Sequence, residues 1–333
     1  MIHTAFISAC LLPLWVVAQP VVPGFDRFPN DTPAAKIASG EVLINELNCI
    51  ACHAADKEQR QRFESHPAPV LFTAHNHASA GWLKRWLSAP HNLKRGTIMP
   101  DLLHGLNQND KAHTVESLGH YLLSLTPPKV NLTIFNGNTN AGKKLYQSIG
   151  CVQCHSPDAK DNGKDLPLGK LQQKYTPVQL IQFLLDPLHS RPSGRMPRVP
   201  MTKEEAGHIA AFLLSRAPLT QDAGLTKVPD ALKLRERGKV FYQKLRCANC
   251  HIARDSNVLP NFSKPLAELD LGQGCLSPKP PLVSPHFHLS AKQKKAITAA
   301  LNAKPATLTI KEQAHRRMRQ LNCTACHMRD GLG

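Results

Sequence analysis

Gly142-Lys143-Lys144-Leu145-Tyr146-Gln147-Ser148-Ile149-Gly150-Cys151-Val152-Gln153-Cys154-His155 returns, without a gap, as Gly238-Lys239-Val240-Phe241-Tyr242-Gln243-Lys244-Leu245-Arg246-Cys247-Ala248-Asn249-Cys250-His251. Leu145, Tyr146 and Ile149 fall at the spacing of an apolar stripe on a helix, as do Phe241, Tyr242 and Leu245. The two cysteines that follow stand at i and i+3, on one face of a helical turn. The last five residues recur as Cys49-Ile50-Ala51-Cys52-His53 and Cys323-Thr324-Ala325-Cys326-His327, and Gly40 precedes Cys49 as Gly142 precedes Cys151. A helix delivering a paired-thiol turn is therefore the recurrent unit of this chain.

A bare Cys-x-x-Cys is open to two other uses, a redox dithiol or half of a zinc site. The adjoining histidine discriminates: two thiols on one face can form thioethers to the vinyl groups of one haem, and the histidine reaches the iron from that side. Eight of the ten cysteines sit in such motifs, leaving Cys10 and Cys275 over, and structural disulfides would not give every pair the same histidine tail. The expectation is three or four covalently attached haem c groups, held by Cys49, Cys52 and His53, by Cys151, Cys154 and His155, by Cys247, Cys250 and His251, and by Cys323, Cys326 and His327.

Copies one and two share a second block. Leu83, Trp86, Leu87, Pro90 and Met99-Pro100 match Leu180, Phe183, Leu184, Pro187 and Met196-Pro197, and helix-like stretches follow at residues 109–125 and 202–216. With these blocks the chain resembles the class I cytochrome c family over nearly all of residues 33–303. The resemblance implies three tandem domains, at 33–127, 136–217 and 231–303, each closed by its first and last helices crossing. It also implies His53 with Met99, and His155 with Met196, as axial ligands. A thioether suits reduced iron and raises the potential, although methionine is equally an ordinary core filler. No strand periodicity is visible, so the expected fold class is all-α.

The third copy lacks the methionine. Ser284-Pro285 fills its place, and the loop offers His286 and His288, either of which would make a bis-histidine site of lower potential. The competing reading is a five-coordinate iron with surface histidines. Cys275 lies in the same loop, buried or free to pair with another chain. The fourth copy, residues 307–333, has a leading helix over 310–322 and little sequence after His327. Truncation of a longer ancestral chain is the favoured explanation there, ahead of a haem completed by a partner or by the third domain.

Residues 1–18 form an apolar run ending in Val16-Val17-Ala18, which reads as a signal peptide cleaved after Ala18. The run is short for a membrane span, so no transmembrane span is expected in the mature chain, and the location is periplasmic or otherwise exported. The lipobox-like Ile7-Ser8-Ala9-Cys10 is the lesser reading. The formal net charge is +17. Haem propionates would reduce it without abolishing it, which favours redox protein partners with an acidic docking face. Nucleic acid is set aside, because basic residues do not surround stacking aromatics. No Gly-rich phosphate loop or nucleophile elbow is present. Electron transfer outside the cytoplasm is thus the expected function. The alternatives are a haem enzyme of the di-haem peroxidase type and an electron-transfer subunit of a larger oxidoreductase.

Overall fold

The computed structural model describes residues 19–22, 24–25, 32–66, 68–71, 78–125, 137–155, 168, 170–191, 194, 196–216, 225, 231–251, 263–282, 284–304, 308–321, 323–325 and 327–331. The expected signal peptide, Cys10 and Cys326 lie outside these residues. Among them the fold is all-α, as the sequence leads one to expect. The longer helices are α1 (Pro33–Glu46), α2 (Ala80–Ser88), α3 (Gln108–Ser124), α4 (Thr139–Ser148), α5 (Pro177–Leu185), α6 (Lys203–Leu214), α7 (Ala231–Lys244), α8 (Ala291–Asn302) and α9 (Ile310–Gln320). Short polar residues set most of the starts. Thr32, Ser79, Asn107 and Asn138 each accept a hydrogen bond from the backbone N–H three residues on, which satisfies a donor the helix cannot. Thr176, Thr202, Ser290 and Thr309 complete reciprocal capping boxes with Gln179, Glu205, Gln293 and Glu312.

The helices pair in crossings that the repeated glycine makes possible. A Cβ on Gly142 would lie 1.9 Å from the His208 carbonyl oxygen, so α4 and α6 approach too closely for any side chain there. Around that crossing Tyr146, Leu180, Leu184, Ile209, Ala210 and Leu213 form one buried cluster. The first and last helices of the stretch 136–217 thus close on each other. The other two crossings differ from the tandem expectation. Gly40 of α1 meets Ala296 and Ala300 of α8, and Gly238 of α7 meets Ser117 and Tyr121 of α3. The physical reason is that a glycine notch accepts any helix offering a small or flat face, and a repeated sequence presents several.

Two further cores follow this exchange. One gathers Val42, Leu43, Ile44, Phe63, Leu266, Ala296, Ile297 and Ala300, and so joins α1 to α8. The other gathers Leu83, Leu118, Tyr121, Leu122 and Tyr242, joining α2 and α3 to α7. Between them lies an isolated antiparallel bridge of two backbone hydrogen bonds, from Asp101 N–H to the His286 carbonyl, 2.9 Å, and from His286 N–H to the Asp101 carbonyl, 3.0 Å. α9 leans on the first core through Arg317, whose guanidinium meets both carboxylate oxygens of Glu64 at 2.6 Å. Its residue at the crossing position is Ala314, not glycine. Among the described residues no helix is long and apolar enough to cross a membrane.

Candidate haem-attachment sites

Motifs one, two and three are built by the same local device. The residue before the first cysteine turns into the left-handed region, at φ 55° for Asn48, 89° for Gly150 and 56° for Arg246. That reversal ends the leading helix and starts a single 3-10 turn, Cys49–Ala51, Cys151–Gln153 or Cys247–Asn249. The histidine N–H then donates to the first cysteine's carbonyl: His53 to Cys49 at 3.1 Å, His155 to Cys151 at 3.0 Å, His251 to Cys247 at 2.8 Å. His327 does the same to Cys323 at 3.0 Å after the turn Cys323–Ala325. Both thiols and the imidazole are thereby held on one compact loop. Arg246, unlike Gly150, has a Cβ to accommodate at positive φ, so the fold holds that turn against a local preference.

The tie on the imidazole is equally specific. Nδ1 of His53 lies 2.8 Å from the Lys264 carbonyl oxygen, and Nδ1 of His251 lies 2.9 Å from that of Pro69. A carbonyl only accepts, so Nδ1 carries the proton in both rings, and Nε2 keeps its lone pair for a ligand. Burial lowers the proton affinity of His251, which further favours the neutral ring, while the Pro69 carbonyl pulls the other way. Tyr146 and Tyr242, on the helices leading to motifs two and three, donate from their hydroxyls to the His155 and His251 carbonyls at 2.9 and 2.8 Å. The first motif has Ile44 at that place. These tyrosines were visible in the sequence as parts of an apolar stripe, but nothing in the stripe revealed the polar use of their hydroxyls.

Cys49, Cys52, Cys151, Cys247, Cys250, Cys275 and Cys323 form no disulfide. Burial pushes Cys49 and Cys247 up to about 12, and Cys250 and Cys275 to about 11, with neighbouring thiols adding to the rise for each. Motifs one and three face each other. The Asn48 side-chain amide lies 3.7 Å from Cys250 Sγ, and that of Asn249 lies 3.8 Å from Cys52 Sγ and 3.0 Å from the Ala51 carbonyl.

The residues beyond the motifs divide as follows. Met196 is half-buried and packs on the same cluster as Cys151, Leu145, Ile149 and Met201, so the second copy brings its first thiol and two methionines to one core. Met99 receives a hydrogen bond on Sδ from Trp86 Nε1 at 2.9 Å, and Trp86 stacks on Trp82 at 4.9 Å. Its neighbours on α2, Leu83 and Leu87, belong to the core that holds Cys247. His286 and His288 lie 3.8 Å apart between ring centroids and line a cavity of about 390 Å3 with Cys275, Leu289 and Lys294. His104 and His91 flank them, at 5.1 Å from His286 and 4.4 Å from His288. Burial, together with His288 and His104, pushes His286 down to about 4, and burial with His91 lowers His288 as well. His327 is exposed, and so is Met328 beside it.

These residues fit a covalently held haem. Paired thiols share one turn, the proximal Nε2 is left available, and at the second copy a thioether sits in the same apolar cluster as the attachment turn. Among the described residues no cluster of three or more His, Cys, Asp and Glu side chains is arranged to hold a metal ion by itself. No curated protein and no solved structure matches the chain. A family model described as Cytochrome c matches residues 139–217, which span α4, motif two, α5, Met196 and α6. That family carries covalently bound haem c and serves electron transfer, and residues 139–217 are similar to it.

Proposed function

We propose that the chain is a multi-haem c-type cytochrome that passes single electrons between redox proteins outside the cytoplasm. The observation that supports it best is the repetition of the attachment turn. A positive-φ residue, a 3-10 turn and a histidine N–H to the first cysteine recur at Cys49, Cys151 and Cys247 around one recognised cytochrome c domain. On this reading residues 33–127, 136–217 and 231–303 each supply one complete attachment motif, and residues 307–333 supply a fourth. Haem c supplies a one-electron Fe(III)/Fe(II) couple, and the chain's own residues decide its position and potential. Cys49 and Cys52, with their counterparts, anchor it; the Lys264 and Pro69 carbonyls aim the imidazoles of His53 and His251; and the apolar clusters exclude water, which together with the axial ligand sets the potential.

Export follows from the apolar run ending at Ala18, and the net charge of +17 selects partners with an acidic face. Met196→Leu tests the ligation at the cytochrome c domain. The expected result is loss of one thioether-to-ferric-iron absorption band and a lower potential at one haem, with the number of attached haems unchanged. An unaltered spectrum and potential would remove Met196 from the ligand set.

A further inference from the structure

The pattern of contacts around motifs one and three is reciprocal, and it assigns each motif to the loop that follows the other. After His53 the chain stays with α1 as far as Phe63, then crosses, so that the Ala68 N–H donates to the Cys250 carbonyl at 2.8 Å and the Pro69 carbonyl takes the His251 imidazole. In return the Leu266 N–H donates to the Ala54 carbonyl at 2.9 Å, and the Lys264 carbonyl takes the His53 imidazole. The apolar contacts agree. Cys49 and Ile50 pack on the same core as Leu269, Leu276, Phe287 and Leu289 from the third copy, whereas Cys247 and Ala248 pack on the same core as Leu71, Leu83 and Leu87 from the first. Arg62 adds a polar seal, donating to Glu41 on α1 at 2.7 Å and to the Ala300 and Ala303 carbonyls at the end of α8 at 2.7 and 3.0 Å.

The second copy shows what this means for ligation. There α4 and α6 cross at Gly142, and both methionines of the loop ahead of α6, Met196 and Met201, pack on the core that holds Cys151. The distal loop therefore serves the motif whose leading helix crosses the helix after that loop. By the same rule the loop before α3, which carries Met99, serves the motif led by α7. The loop before α8, which carries His286 and His288, serves the motif led by α1. The bridge between Asp101 and His286 ties the two distal loops at equivalent places, two residues after Met99 and two after Ser284. His288 is held at φ 53°, an uncommon conformation for a residue with a side chain, in the wall of the cavity that also contains Cys275.

We propose that copies one and three exchange their distal halves, so that Met99 ligates the haem held by Cys247, Cys250 and His251, while His286 or His288 ligates the haem held by Cys49, Cys52 and His53. This rests on the reading that these motifs carry haem. It replaces the sequential pairing of His53 with Met99 and makes the first haem, not the third, the low-potential bis-histidine centre. In space, the amide contacts of Asn48 and Asn249 then set those two haem-bearing turns side by side.

Removing one attachment motif at a time from the full holoprotein tests the exchange, with ligand-specific spectra as the readout. Cys247→Ala with Cys250→Ala is expected to remove about half of the methionine-to-iron absorption, leaving the share of Met196, and to keep the bis-histidine electron paramagnetic resonance signal. Cys49→Ala with Cys52→Ala is expected to do the reverse. The opposite pairing of losses would overturn the proposal in favour of sequential ligation. Should either variant fail to fold, the unsubstituted reduced holoprotein still decides. A nuclear Overhauser contact between Gly40 and the Ala300 methyl supports the exchange, and contacts from Gly40 to Tyr121 instead refute it. A protein that gains no haem at any of these motifs would sink the cytochrome reading itself, which is a distinct outcome.

Discussion

At Gly142 a single missing methyl group decides how closely two helices lie. Replacing it with alanine gains about 1 kcal/mol of helix propensity. The new Cβ, however, would stand 1.9 Å from the His208 carbonyl and 2.9 Å from the Phe212 Cβ, so the helices must part. Gly142→Ala is expected to cost about 1–3 kcal/mol in denaturant unfolding, whereas Gly272→Ala, with its nearest neighbour at 3.4 Å, serves as the nearly neutral control. The glycine and the cysteine–histidine turn were legible because both recur at fixed spacing. The carbonyls of Lys264 and Pro69 were not, since any residue can offer a carbonyl and only the path of the chain brings these two to His53 and His251. Cys275 was legible only as a leftover cysteine; its place beside His286 and His288 came from the fold.

Elements began where their sequence signals put them. Thr202 with Glu205 and Thr309 with Glu312 announce helix starts by local chemistry, and the structure starts α6 and α9 there. Partner choice was not legible in the same way, because α3 and α8 follow loops at the same place in the repeat, at Met99-Pro100 and Ser284-Pro285, and each meets a glycine notch. What separates them is detail such as Arg62, which neutralises Glu41 and caps the last carbonyls of α8 in a site almost closed to water. Arg62→Leu leaves the Glu41 carboxylate with Arg316 at 3.5 Å and strips the last α8 carbonyls of their donor, and a loss of about 1–3 kcal/mol in unfolding free energy is expected. Of the links from α9, the Arg317–Glu64 pair is weaker than the contact of Arg316 with Glu41, since Arg317 and Glu64 are both largely exposed. Arg317→Ala should cost less than about 1 kcal/mol. The Arg317 guanidinium holds the Glu64 carboxyl below its ordinary value of 4.5. The contribution is therefore complete at pH above 4.5 and fades as pH falls through the lowered folded value. Unfolding of the wild type and the variant against pH should converge in acid, and a difference that persists there would contradict this account.

Over the whole molecule the proposed function places several redox centres on one chain. Motifs one and three form a facing pair, and α9 with motif four leans on α1's core through Glu64. The cytochrome c domain touches the first copy through Gln173, whose carbonyl and side chain meet Ser79 and Arg85 of the α2 region at 3.3 and 3.4 Å. Lys174 lies over the Trp82 ring at 5.0 Å, next to the Trp82–Trp86 stack that leads to Met99. With a net charge of +17, electron exchange with an acidic partner should slow steeply as salt rises through the range where the screening length falls to about 10 Å. Stopped-flow rates that do not change with ionic strength would rule out electrostatic docking. The most direct test of the central claim is the mass of the intact chain produced in cells that attach haem c. The account predicts a mass above that of the polypeptide by three or four haems. A chain that gains none, or only one at Cys151 and Cys154, would contradict it.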